Sequence, residues 1–437
     1  MDKPTISGPQ FADGQTISRV ITHPIYRADS STLSSFLIQS RAFRDDPAVL
    51  LQIQEYMAGM LLQQQASQRW LEAQAADTGT NDDARAEARV GVAATRRLAH
   101  LVRQIADGIA WRFFEYDRVR LYQLALKPQT GHLEPAIETE IHAARKHVAR
   151  GVPVLLNDLT NFVKYGDLTL NLDGAIKIVE VKSGRGSGKS GHATRQWQRL
   201  TELAEFLNSE SRQTGNGNHH LVRFKTEPRT HLSAVQNLIR EARRQGNAHA
   251  RLSSSVAVDV FHVEAAATTS VGRRLLLNVR HNPFSQSKNV MTAHSLDLFY
   301  HFSPNRVPYA LFPWPDDDCG DVLTGNIWIV SYFNWERLAR TLKKRGLIVQ
   351  ELEAERLRRF TGLPIGDQRL RGFEVGLAVG RPNSRPCIIS FAEFARLAYE
   401  FLDEECVADT IEEVLDIGIP PGDLYFTGFS NEAVIWN

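Results

Sequence analysis

The chain has 437 residues, more than one ordinary core accommodates, so two or three domains are expected, each able to bury an apolar interior without disulfide staples. With 43% hydrophobic, 9% aromatic and 23% charged residues it has the composition of a folded globular protein, which excludes a disordered or fibrous chain. A formal net charge of +1 excludes binding to nucleic acid by global attraction, so any such surface must be local.

The opening residues, MDKPTISGPQFADGQ, carry no basic flank followed by an apolar core, and no uncharged apolar run reaches membrane-spanning length. Cys319, Cys387 and Cys406 are scattered and odd in number, which argues against a disulfide framework or a metal knuckle. A reducing, cytoplasmic setting and no membrane partner are the expectation.

In chain order, the first 30 or so residues read as an irregular polar lead-in. Apolar residues then recur at helical spacing through Ala48–Leu62 and Thr95–Ile109, on either side of the polar loop at 76–83. The aromatics Trp111, Phe113, Phe114 and Tyr116 follow Ile109 and are read as core. A helix over Glu134–Arg150, stopped by Gly151, leads into the strand-like runs VPVLL, YGDLTLNL and AIKIVEVK. A glycine-rich loop and a helix over Ala193–Asn208 come next, and the polar stretch 211–220 reads as a linker. The strand-like runs SVAVDVFHV, RLLLNV and NIWIVSYF and helices near 335–345 and 391–405 complete a C-terminal α/β region. The expected units are a mainly helical region at 1–125, a central domain at 126–210 and a C-terminal α/β domain at 221–437. The fold class is α/β.

The chemistry concentrates in the central unit. Asp173-Gly174 between two apolar runs is a strong signal for a two-residue type I′ hairpin turn. With that turn, cross-strand partners have numbers summing to 347, and Asp167 stands opposite Glu180. Paired residues point to one face with Cβ atoms about 5 Å apart, and Lys182 shares the face by strand alternation. Leu168, Leu170, Val179 and Val181 fall on the other face and supply the core. Two acids and a lysine beside an apolar layer would be costly without a cation. Oxygen ligands with open positions suit Mg²⁺ or Mn²⁺, an ion that polarises a phosphate and activates water.

These residues resemble the PD-(D/E)XK nuclease superfamily, the restriction-endonuclease-like fold, over about residues 134–208. Its signature is an Asp at the start of one strand and Glu-x-Lys on the next. Gly166-Asp167 stands where the family often has Pro-Asp, and Glu180-Val181-Lys182 supplies the second half. The resemblance implies an α-β-β-β-α-β core, with Asp167, Glu180 and Lys182 catalytic and Asp167, Glu180 and Val181 around the metal. It also implies a Glu from the preceding helix, Glu140 with Glu138 as second choice, and a Gln from the following helix, Gln196 rather than Gln198. Leu200 occupies the place of the tyrosine in the Gln-x-x-x-Tyr branch. The implied activity is Mg²⁺-dependent endo- or exonuclease hydrolysis of phosphodiester bonds, most naturally DNA, in prokaryotic DNA processing or phage defence. Many nucleases of this kind cut both strands as homodimers, which makes a homodimer one expectation here.

Between Ser183 and Thr201 no carboxylate occurs, while Arg185, Lys189, Arg195 and Arg199 gather there to contact nucleic acid. A non-catalytic nucleic-acid-binding or regulatory module on the same fold is an alternative. Nucleotide hydrolysis through the 184–190 glycine loop is another, weakened because Ser183 takes the first glycine position of the phosphate-binding loop. Three further features read as structural: an acidic turn at Asp316, Asp317, Asp318 and Asp321, a loop at His281-Asn282-Pro283, and a solvated helix face at Arg337, Arg340, Lys343, Lys344 and Arg345.

Overall fold

The computed structural model describes residues 19–42, 46–79, 81–124, 133, 137–163, 165–181, 201, 203, 205, 208–209, 211–214, 217–264, 290–295, 307–353, 375–384, 386–389, 396–418 and 424–429. The N-terminal part carries α1 (Pro24–Ala42), α2 (Pro47–Ala76), α3 (Asp82–Phe113) and α4 (Arg118–Leu124). Asp46 accepts from the Ala48 N–H (2.8 Å) ahead of Pro47, and Asn81 accepts from the Ala84 N–H (2.8 Å), so both long helices start on capping side chains. Trp111, Phe113, Phe114 and Tyr116 are buried, as core aromatics. The irregular lead-in expected up to residue 30 is corrected from residue 19 onward: residues 19–22 are helical, and α1 follows with Tyr26, Leu33 and Leu37 buried on one face.

Helix α5 (Ile137–Val148) ends before Gly151 at φ 77° and leads into β1 (Val154–Leu156), a 3-10 turn (Asn157–Leu159), β2 (Leu168–Leu172) and β3 (Ala175–Val179). These strands form an antiparallel sheet in the order β1-β2-β3, and α5 packs on β1 and α2. Ala193–Asn208 was expected to be helical; of that segment the described residues are 201, 203, 205 and 208, all helical.

The stretch 211–220 is not a linker. It forms most of a hairpin, β4 (Ser211–Thr214) against β5 (Gly217–Phe224), with Thr214 opposite Gly217 and Ser211 opposite His220. The chain's last described strand, β13 (Leu424–Phe429), runs parallel to β5, giving the order β13-β5-β4.

Helix α6 (Leu232–Gln245) packs on a four-stranded sheet of β6 (Asn247–Arg251), β7 (Val256–His262), β8 (Val290–His294) and β9 (Ile327–Asn334), in the order β6-β7-β9-β8. The run RLLLNV lies outside the described residues. Helix α7 (Asp316–Thr324) precedes β9, and α8 (Trp335–Lys344) follows it. A fourth sheet among the described residues joins β10 (Ile348–Glu353), β11 (Val375–Gly380) and β12 (Cys387–Ile389), with α9 (Glu404–Ile417) beyond.

The boundaries expected near residues 125 and 221 fall inside one continuous apolar cluster that runs from Val20 to Ile411. Buried residues of the N-terminal helices and of the C-terminal part share this cluster. Tyr26 donates its hydroxyl to the Thr324 carbonyl, and Arg41 donates to the Trp314 carbonyl at 2.6 Å. Arg118 and Glu400 form a fully buried pair (2.9 Å) to which Arg396 Nε (3.0 Å) and the Val307 N–H (2.9 Å) add, with the Arg118 guanidinium lying over Trp111. Such a pair is retained only where each charge is met by hydrogen bonds. Among the described residues no helix is long and apolar enough to cross a membrane.

Candidate metal centre on the Gly166–Val181 hairpin

The hairpin forms with the expected turn. Asp173 and Gly174 take φ of 53° and 89°, the left-handed pair of a type I′ turn, and the Asn171 side chain accepts from the Gly174 N–H at 2.8 Å. The register pairs Leu172 with Ala175 through to Leu168 with Val179. The ladder does not continue regularly to Asp167 and Glu180, because the Asp167 N–H, which strand alternation turns toward β1, bonds instead to the Val179 carbonyl (2.9 Å). The cause is Gly166 at φ 65°, which turns the chain just before the strand. The Asp167 carboxylate crosses instead to the Val181 N–H (2.5 Å), one peptide beyond Glu180.

Two residues that sequence reasoning passed over hold this arrangement. Asn157, fully buried, donates to the carbonyls of Tyr165 (2.8 Å) and Gly166 (3.2 Å) and accepts from the Thr169 hydroxyl (2.9 Å). Its backbone N–H bonds to the Asp167 carbonyl at 3.0 Å, so Asp167 is tied through both main-chain groups and its carboxylate. Gln54 on α2, also buried, donates to the Val154 carbonyl (2.8 Å) and accepts from the Leu156 N–H (2.7 Å), satisfying the outer edge of β1. A polar residue within the apolar run Leu50, Ile53, Met57 and Leu61 was the available signal for Gln54.

The apolar support differs in part from expectation. Leu168 and Leu170 are buried, whereas Val179 and Val181 are half-buried. Ile176 and Ile178, on the face that alternation gives to Glu180, are buried as well. The Asn208 amide brackets the Ile176 main chain at 3.5 Å on each side, and Leu203 from the same segment is buried. Both faces of the hairpin are therefore covered, which fixes the acids on a rigid element.

Asp167 and Val181 are half-buried and Glu180 is exposed. On α5, Glu140 is only 4% exposed while Glu138 faces solvent, so Glu140 is the inward acid of the two. Lys182, Arg185, Lys189, Arg195, Gln196, Gln198 and Arg199 lie outside the described residues, as do the 184–190 glycine loop and His281-Asn282-Pro283. Among the described residues no group of three or more His, Cys, Asp or Glu side chains is placed to hold a metal ion. Asp167 and Glu180 would make two carboxylates, with a main-chain oxygen as the only donor Val181 can add.

Beside the hairpin, His147 is held below the ordinary histidine range by burial and then by the charges of Arg150 and Lys177, which marks a basic patch on the α5 side. The acidic run at 316–321 is not a surface turn: it forms the first turns of α7, where Asp318 is buried against Arg243 and Gln236 and Asp321 pairs with Arg243 (2.6 Å). At the end of α8, Arg345 is satisfied by Glu405, Asp409 and Glu412. No known protein family, curated protein sequence or solved structure matches the chain.

Proposed function

We propose that the chain is a metal-dependent nuclease of the PD-(D/E)XK type, hydrolysing phosphodiester bonds in DNA. The observation that carries the reading is the position of Asp167, whose carboxylate is bonded to the Val181 N–H at 2.5 Å. That nitrogen is two bonds from Glu180 Cα, so the Asp167 carboxylate lies within about 5–6 Å of the Cα bearing the second acid. The helix-strand-strand-strand order from α5 to β3 supports the restriction-endonuclease-like fold. One feature does not follow its pattern, because among the described residues β5 pairs with β13 and β4 rather than with β3.

The donor set fits a hard cation. Asp167, Glu180 and the Val181 main-chain oxygen offer oxygen only, which suits Mg²⁺ or Mn²⁺ with several waters retained. When bound, such an ion polarises the scissile phosphate and lowers the pKa of water. Asp167 fixes position through its three anchors, while Glu180 is exposed and meets the substrate side. Lys182 supplies the cation that meets charge gathering on the phosphate oxygens. The resemblance adds Glu140 and Gln196 to the centre and gives Arg185, Lys189, Arg195 and Arg199 the phosphate backbone.

The experiment is a crystal soaked in Mn²⁺ with anomalous data. An ion between Asp167 and Glu180 is expected. An empty hairpin at millimolar Mn²⁺ would leave Asp167 as a structural anchor for Val181 and sink the assignment.

A further inference from the structure

Helix α2 buries one side against α1, α3 and α5 and leaves the other open. A solvent-facing helix surface ordinarily carries charge, yet of the 30 residues of α2 only Glu55, Arg69 and Glu72 are charged. Two rows with seven-residue spacing run along the open side. Val49, Tyr56, Gln63 and Trp70 make one row, and Gln52, Gly59, Ala66 and Ala73 make the other; all are exposed and uncharged. Trp70 is 60% exposed and Tyr56 57%. Alternating steps of three and four over four repeats are the pattern of a coiled-coil seam, and from Val49 to Ala73 the helix runs about 36 Å. Gly59 points the same way. Glycine weakens a helix interior, and the fold does not require it here, since a Cβ would meet nothing within 4 Å. A bare backbone at that point serves a helix arriving from outside.

We infer that this face docks the α2 helix of a second copy of the chain, antiparallel about a twofold axis at Leu62. In that register the rows match large with small: Val49 faces Ala73 of the second copy, Tyr56 faces Ala66 and Gln63 faces Gly59, while Trp70 lies on the flexible Gln52. The flank matches as well. Glu55 stands opposite Arg69 of the second copy, twice by symmetry, and the half-buried Leu62 meets itself. Arg145 already forks onto Glu55 (2.8 and 2.9 Å), and a carboxylate keeps lone pairs for a second guanidinium. A parallel pair would instead stack Trp70 on Trp70 and Gly59 on Gly59, alternating overfilled and empty layers. Each position thus finds its complement on the same face, as an isologous contact demands. No residue of the Asp167 centre takes part, so the contact stands or falls apart from the nuclease reading.

The test is sedimentation velocity of wild type, Gly59→Lys and Arg69→Glu across micromolar concentrations, with circular dichroism to verify helix content. Wild type should be a dimer. Gly59→Lys puts a better helix former into open space, so the single chain folds as before. It also sets a lysine in the middle of the contact and should raise the dimer Kd at least about a hundredfold. Arg69→Glu should raise it about tenfold by opposing Glu55 twice, and added salt should shrink that difference. A monomeric wild type, or a dimer that Gly59→Lys leaves intact, overturns the contact. A dimer that Gly59→Lys splits but Arg69→Glu leaves unchanged overturns the antiparallel register. A monomer that floats with phosphatidylglycerol vesicles overturns the second copy and gives the face to a lipid surface.

Discussion

Replacing Gly166 by alanine should damage the candidate centre without touching any of its acids. A Cβ built at this position would sit 2.6 Å from Ile178 Cγ2 and 2.8 Å from the Val179 carbonyl oxygen, on a residue at φ 65°. The left-handed conformation costs a non-glycine residue about 1–2 kcal/mol, and forcing a methyl group against a packed strand costs about 1–3 kcal/mol more. A loss of about 2–5 kcal/mol is therefore expected, read as a lower urea midpoint by circular dichroism. Because the clash is with β3, relief must move Asp167 away from Val179 and Val181, and a displacement near 1 Å lowers cleavage about a hundredfold. Proline, locked near φ −65°, cannot adopt this backbone at all, so Gly166→Pro should be worse than Gly166→Ala even though it restores the commoner form of the motif. A Gly166→Ala protein within about 1 kcal/mol of wild type would refute the steric argument.

Other expectations follow from the same geometry. Asn157→Ala leaves the carbonyls of Tyr165 and Gly166 and the Thr169 hydroxyl without its side chain; urea titration should show a loss of about 3 kcal/mol. Glu400→Ala strips the buried Arg118 of its partner and should cost about 3–5 kcal/mol, with the N-terminal helices and the C-terminal sheets melting together in calorimetry. His249 is raised above its ordinary value of 6.5 by its bond to Asp259, against partial burial. Its contribution is thus complete below the unfolded value and is lost as pH rises through the folded one. An imidazole NMR titration should place His249 above 6.5 in wild type and lower it in Asp259→Asn.

The hairpin was legible because its signals are local: Asp-Gly fixes the turn, and alternation fixes the faces. The departure at Asp167 was not, since nothing short of the backbone reveals that Gly166 takes a positive φ and redirects the carboxylate to Val181. The hairpin at 211–220 was missed because its residues are polar and hide the two-residue period, although Gly215-Asn216 has the composition of a two-residue connection. The common core left no local trace either, for it is made by pairs such as Tyr26 with Thr324 and Arg118 with Glu400, almost 300 positions apart.

The most direct test of the nuclease is cleavage of linear and supercoiled duplex DNA in millimolar Mg²⁺ by wild type, Asp167→Ala and Lys182→Ala, with circular dichroism to verify folding. Wild type should cut, EDTA should stop it, and both variants should be inactive while folded. Cleavage by both variants at the wild-type rate, or no cleavage by wild type with either Mg²⁺ or Mn²⁺, would contradict the account.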